Sequence, residues 1–532
     1  MRLTLFLDSA LRRLPLILLG LILICAALLP LLSAYQGFPM YRDIHLGAAI
    51  TYAEEGIDLL RPKIVGFTAT DTPTPQELPL WQALTAIFLK FGGGWWGWAN
   101  VTSLLMFCTA LWPAYRLGNW VGQECGTDAL LCGRWSVTWL ISIPIVFCLA
   151  GQGSVDGWAM ATSLWFFYFA IHLLKSGRWC WFWPACIFGI LAATTKLPFF
   201  FACGIAAGIY HLVSHPRSTL RWAQISLVGL ISGALFLIWT KWCDSQLALA
   251  EFPHFELRLS HNPAMWDHYF GTWDYKLNPA NWLKGGWRML STLFGSFALG
   301  GFFIGTFFII RSKLLWSWLV GCVVLLAVFT HLVLIHRHYY IIFAPLVAWS
   351  FGCIITKIQT QFLTTSARKF FFLIAVPLTL FLATAQGLIL MEIPLRFDPY
   401  PAQIAQRVDS LLPAQAKAVI QNGGWGGDIF MRMQRPGLTI TTNKLLQSEG
   451  QFRRLKDLGY THLIMLAESP LLHAFQVTNP GEAGLKRLSK YHITTPLLDR
   501  WTPMHEDSDI VIFDFEKYPK QAPYPRQTLG TE

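Results

Sequence analysis

The sequence is short of charge for its length: Asp, Glu, Lys and Arg make up 13% of its 532 residues, against 54% hydrophobic types. That ratio excludes an ordinary soluble domain. It has no C-x-x-C pair, most of its 11 cysteines lie inside apolar runs, and none follows Cys353. Neither a disulfide framework nor a structural zinc site is supported. Low-complexity tracts and a clear internal repeat are also missing, which argues against solenoids and linkers. No convincing small-residue cleavage site stands before Tyr35, so the first apolar run reads as a retained anchor. Despite a net charge of +11, most basic residues sit singly or in pairs between apolar runs, which fits topology-setting charge and not a nucleic-acid surface.

What is abundant is apolar sequence in span-length pieces. About 20 apolar residues as helix cross a hydrocarbon core of roughly 30 Å, and lipid offers no partners for open backbone groups. Windows of that kind fall near 14–34, 98–117, 135–150, 155–174, 180–195, 198–213, 222–243, 290–310, 314–334, 338–356 and 370–391, an expectation of eleven helices. Arg2, Arg12, Arg13, Arg116, Arg134, Lys175, Arg178, Arg217, Arg221, Arg311, Lys313, Lys357, Arg368 and Lys369 fall in alternate connections. Positive charge retained inside then places the amino terminus in the cytoplasm and the carboxy terminus outside.

The expected fold class is a polytopic α-helical membrane protein with a C-terminal soluble α/β domain. Residues 1–392 form the membrane domain, with outer loops 35–97 and 244–289. Residues 393–532 form the outer domain, where strand-like "AKAVIQN", "YTHLIML" and "DIVIFDF" alternate with helix-like "PAQIAQRVDSLL" and "NKLLQSEGQFRRLKDLG", the pattern of a partly parallel sheet.

Ionisable groups beside spans are expensive and often mark function, although each has a structural reading too. Asp43, in "YRDIHLGAAITYAEEG", opens an amphipathic stretch and also reads as a helix N-terminal acid. Glu77 lies between Pro75 and Pro79 in "TPTPQELPLW", and also fits a first-turn acid. Asp156 follows Ser154, a ready helix cap. Lys196, in "AATTKLPFFF", sits at a break between two short spans, where a snorkelling lysine is the plain alternative. His336, Arg337, His338, Tyr339 and Tyr340 open the tenth span, where an aromatic belt with a flanking arginine is the plain alternative. The topology, argued from other residues, puts all of these on the outer side. Carboxylates that orient or deprotonate a hydroxyl, beside cations that stabilise charge on a departing phosphate, suit group transfer from a phosphosugar.

These residues resemble the GT-C superfamily of membrane glycosyltransferases, in particular the bacterial branch similar to protein O-mannosyltransferases and lipid A aminoarabinose transferases. The resemblance covers roughly residues 10–390. Asp43 matches the first-loop aspartate that the family uses as probable base. "QELPLWQ" resembles the family's second acidic element and makes Glu77 its acid. "TKLP" resembles Thr-Lys-Gly-Pro, so Lys196, with Arg337 of "RHYY", would hold the donor phosphate. Asp156, His336, His338, Tyr339 and Tyr340 would border the substrate cavity. Leu78 stands where aminoarabinose transferases carry lysine, and Leu197 where the family has glycine, which points away from lipid A aminoarabinose as product.

The resemblance implies a glycosyltransferase of a bacterial inner membrane, moving a sugar from a polyprenyl-phosphate donor to an acceptor glycan, lipid or protein at the periplasmic face. A secondary transporter or lipid-linked-sugar flippase is the alternative from another class. It would favour ionisable groups at mid-membrane and repeated halves with broken helices. No cofactor is expected. A divalent metal held by Asp43 and His45 with His336 or His338 stays open, since phosphate can equally be neutralised by Lys196 and Arg337. "NGGWGGD" (Asn422–Asp428) reads as a turn-rich loop because it lacks a nucleotide-loop fingerprint.

Overall fold

The computed structural model describes residues 2–32, 42–69, 72–251, 263–390, 400–421, 427–440, 449–466, 503–506 and 509–517. Unit 1 comprises Met1–Pro62, Pro75–Ala248 and Glu256–Phe397; unit 2 comprises Lys63–Thr74, Leu249–Phe255 and Asp398–Glu532.

The regular structure of unit 1 is all helical among its described residues. After α1 (Arg2–Leu32) and a π-helical turn (Arg42–Leu46) come α2 (Gly47–Glu55), α3 (Leu80–Phe91), α4 (Trp98–Cys108), α5 (Leu111–Glu124), α6 (Ala129–Ser142) and α7 (Pro144–Gly151). They are followed by α8 (Val155–Ser176), α9 (Phe182–Ser214), α10 (Thr219–Leu247), α11 (Pro263–Phe270), α12 (Trp273–Leu277), α13 (Pro279–Phe294) and α14 (Phe297–Phe307). The unit closes with α15 (Lys313–Val328), α16 (Thr330–Ile335), a 3-10 turn (Arg337–Phe343), α17 (Ala344–Lys357) and α18 (Ser366–Leu390).

Six helical segments among the described residues are long and apolar enough to cross a bilayer, or eight when two bent pairs are each counted as one span. Several of the eleven apolar windows are broken by local chemistry that hydropathy does not register. Pro144 takes the first position of α7, and α6 and α7 meet at 69°. Between α13 and α14 the bend is 93°: Gly295 ends one helix in the left-handed region (φ 64°), and the Ser296 hydroxyl caps the next by accepting from Leu299 N. The window 98–117 is divided between α4 and α5, and 314–334 between α15 and α16.

Helix α9 accounts for the two short windows 180–195 and 198–213. Its 33 residues would span about 50 Å if straight. Both of its ends nevertheless lie at the C-terminal end of α8. Trp181, just before α9, stacks on His172 at 4.4 Å. Past its other end, Arg221 and Gln224 donate to the carbonyls of Lys175 and Gly177, at 3.4 and 3.1 Å. The helix therefore doubles back, and the reversal is at Lys196, whose φ −148° and ψ 95° are non-helical. Pro198 supplies the cause, because it has no N–H to offer the Thr194 carbonyl four residues earlier.

The same end of unit 1 collects much of the basic charge singled out above. Arg134 donates to the Arg12 carbonyl, Lys369 pairs with Asp8, Lys175 lies 4.1 Å from the Trp120 ring centre, and Ser312 donates to Glu124 at 2.6 Å. Lys196 and the start of α8 lie at the other end of that 22-residue helix.

Unit 2 is an α/β sandwich. Its sheet runs β2 (Gly437–Ile440), β1 (Ala418–Gln421), β3 (His462–Leu466), β5 (Ile510–Asp514), β4 (His505–Glu506), with β1 parallel to β2 and β3, and β5 antiparallel to β3 and β4. Alternation sends Val419, Leu463 and Phe513 to one core with Phe452 and Tyr460. Ile420, Ile464 and Ile512 go to the other with Ile404 and Val408 of α19 (Tyr400–Leu411). Two further helices, α20 (Asp428–Met433) and α21 (Glu449–Asp457), complete it. The partly parallel sheet matches the sequence expectation. Unexpected from sequence is the weaving of loop segments into this unit: Thr439 N donates to Gly66 O, Tyr460 to Ala69 O, and Arg454 pairs with Glu251. Most of the "NGGWGGD" loop, including Trp425, lies outside the described residues.

Candidate functional site

The Pro75–Pro79 segment is pinned on both sides of Glu77. Before it, the Gln76 carbonyl accepts from Trp239 Nε1 of α10 at 2.9 Å. After it, Leu78 N donates to Thr194 O at 3.0 Å, the carbonyl that Pro198 leaves without a helical donor. One proline thus bends α9, and the resulting open acceptor docks the glutamate segment against the bend. Leu78 thus acts here through its backbone.

Glu77 Oε2 is buried, has no hydrogen-bond partner, and lies 3.7 Å from His45 Nδ1. His45 is itself buried at 3% exposure, and Gln82 Nε2 on the first turn of α3 approaches its Nδ1 at 2.9 Å. With Gln82 as donor, Nδ1 is the acceptor and the ring is neutral. Burial pushes the His45 pKa down, Glu77 partly offsets this, and the charges of Lys196 and Asp156 also reach the ring.

A continuous hydrogen-bonded path leads from α3 to Lys196. Next to Gln82, Trp81 Nε1 donates to Ser103 Oγ on α4 at 2.9 Å. That hydroxyl donates to Ser154 O and accepts from Ser154 N, so its hydrogen-bonding capacity is filled. Ser154 caps α8, accepting from Asp156 N at 3.0 Å and donating to Asp156 Oδ2 at 2.8 Å. Asp156, with no exposure, pairs through Oδ1 with Lys196 Nζ at 2.5 Å. Lys196 Nζ in turn lies 4.8 Å from the centre of the Tyr339 ring. Removing the hub leaves several buried groups without partners, so Ser103→Ala is expected to destabilise the protein by about 1–3 kcal/mol. Thermal unfolding of the detergent-purified variant checks this, and an unchanged midpoint contradicts it.

The other expected residues are placed as follows. Asp43 belongs to the π-helical turn Arg42–Leu46, two positions before His45, and its side chain lies outside the described residues. His338 lies within Coulomb reach of Asp156, Lys196, His336 and His45. His336 Nε2 is 3.4 Å from His268 Nε2 of α11. Arg337 is half-buried on the same 3-10 turn as Tyr339, and with Arg288 of α13 it reaches Tyr340 electrostatically. The Tyr340 hydroxyl lies 3.3 Å from both the Gly285 and Leu334 carbonyls, a packing role for that side chain.

Sequence reasoning missed Ser103 and Tyr269, and took in Gln82 only as the last residue of "QELPLWQ", with no role. The charges of Glu77 and Lys196 reach Tyr269, as does Tyr339, and burial pushes its hydroxyl pKa up. Aromatic crowding in "MWDHYFGTWDY" within the second outer loop was its one available signal. Among the described residues no three His, Cys, Asp or Glu side chains converge to hold a metal ion. The side chain of Asp43, the other ligand considered with His45, lies outside those residues.

No family model and no curated protein sequence matches the chain. Solved structures do. The chain is similar to ArnT from Cupriavidus metallidurans bound to undecaprenyl phosphate, with TM-score 0.57 and 11% identity over 94% of this chain and 98% of that one. It is also similar to the apo state of the same protein, with TM-score 0.53 and 11% identity over 94% and 99%. At that identity the likeness is one of fold: the chain has the architecture of this membrane protein along nearly its whole length, as the resemblance to GT-C enzymes implied.

Proposed function

We propose that the protein is an integral-membrane glycosyltransferase that moves a sugar from a polyprenyl-phosphate donor to an acceptor on the periplasmic face of a bacterial inner membrane. The observation that carries this reading is the meeting of Glu77, His45, Asp156, Lys196 and Tyr339 where α9 reverses, in a fold whose solved counterpart was found with undecaprenyl phosphate. Basic residues gathered at the opposite end of unit 1 support a cytoplasmic amino terminus and an outer-facing site.

In the proposed reaction Asp43 takes the proton of an acceptor hydroxyl as that oxygen attacks the anomeric carbon. The bond from that carbon to the phosphate oxygen breaks, and the electron pair leaves with the polyprenyl phosphate. Lys196, paired with Asp156, and Arg337 stabilise the charge that develops on the phosphate. A lipid carrier too apolar to leave the bilayer requires the chemistry to sit at the membrane surface, with apolar helices beside the tail. Since these cations supply the positive charge, no metal is required. EDTA is expected to leave turnover of the purified protein unchanged, and a loss restored by Mg²⁺ or Mn²⁺ overturns the metal-free reading.

Glycans and glycolipids of cells with and without the gene test the function. The expected result of deletion is the loss of one sugar substituent and accumulation of its polyprenyl-phosphate donor. Identical profiles contradict the proposal.

A further inference from the structure

We infer that Gln82 and His45, beside Glu77, form a subsite for a hydroxyl of the transferred sugar, which makes Gln82 a specificity-determining residue. This rests on the glycosyltransferase reading above and adds a recognition element to it.

Two acceptor oxygens in this corner are buried without donors: Oε2 of Glu77 and Oε1 of Gln82, a side chain only 5% exposed. Thr85, three residues on and so on the same stripe of α3, also has a buried hydroxyl with no hydrogen-bond partner. Buried polar groups are nearly always satisfied, so these atoms call for a partner, a water or a ligand group, beyond the protein's own side chains. His45 takes the other end of the Gln82 amide at 2.9 Å.

The chemistry of the partner follows from the atoms left open. Phosphate oxygens are acceptors and gain nothing from Glu77 Oε2 or Gln82 Oε1, whereas Lys196 offers them donors. The site is thus divided into a cationic part for the phosphate and an acceptor-lined part for the sugar. Turning the Gln82 amide over would leave Nε2, in place of Oε1, as the atom without a partner. A hydroxyl satisfies either orientation because it both donates and accepts, while an ammonium group satisfies only one.

The test uses purified full-length protein in nanodiscs and a panel of undecaprenyl-phosphate hexoses and pentoses, with monodeoxy analogues of whichever donor the wild type consumes. Gln82→Leu is expected to raise KM for the donor by on the order of tenfold to a hundredfold, with a smaller change in kcat. One monodeoxy donor is expected to show a similar loss with the wild type and no further loss with Gln82→Leu, while Gln82→Glu, which keeps an acceptor oxygen, recovers discrimination for the full donor. Unchanged KM in Gln82→Leu, or deoxy losses that simply add to it, overturns the subsite alone and leaves water as the amide's partner. If Gln82→Leu does not fold, the deoxy series on Gln82→Glu and wild type decides: no single hydroxyl mattering to either overturns the subsite. A wild type that consumes no polyprenyl-phosphate sugar overturns the functional reading and the subsite together.

Discussion

Asp43→Asn is expected to lower sugar transfer by at least about 10²–10⁴-fold, the range that a positioned general base contributes. The carboxamide keeps the shape of the side chain but cannot take a proton at neutral pH. The backbone of Asp43 sits in the short π-helical turn that also presents His45, and His45 borders Glu77 and feels the charges of Lys196 and Asp156. Expression and thermal stability of the variant should match the wild type, because the substitution removes a charge and no volume. Restoration of the missing glycan in deletion cells reads the effect, and complementation equal to wild type refutes the role of Asp43.

Breaking the Asp156–Lys196 pair is expected to harm both folding and activity. Asp156 is fully buried and Lys196 nearly so. Replacing one partner takes the ion pair away from the other's buried charge, a loss of about 3–5 kcal/mol. Asp156→Asn and Lys196→Gln should therefore each unfold at markedly lower temperature. Combining them removes both charges, so the double variant should recover much of the stability. It should not recover activity, because loss of one donor to the developing charge lowers turnover by about 10²–10³-fold. A double variant less stable than either single one contradicts the pairing. One that turns over like wild type contradicts the phosphate role of Lys196.

Much of this arrangement was legible because its signals are local. Ser154 followed by Asp156 is a helix start written in adjacent residues, and the structure gives that cap and that first-turn acid. "TKLP" announced a break, and Pro198 delivers it four residues after Thr194. Alternating β-branched residues in "AKAVIQN" and "DIVIFDF" became β1 and β5. The illegible parts depend on contacts between distant positions. Gln82 meets His45 across 37 residues, and Ser103 joins Trp81 to Ser154 across 22 and 51. No periodicity encodes such pairs. The apolar windows hid a bend where one average covered two helices, as at Pro144 and at Gly295–Ser296, since hydropathy sums side chains and ignores backbone direction. Loop pieces such as Gly66 and Glu251 joined unit 2 through backbone bonds and an ion pair, to which composition is blind.

The most direct test is turnover by the purified protein in nanodiscs, supplied with undecaprenyl-phosphate sugars and a cell-envelope acceptor fraction, and read as release of undecaprenyl phosphate by mass spectrometry. The account predicts release from at least one donor by wild type and none above background by Asp43→Asn. Equal release by the two proteins, or no release from any donor, contradicts it.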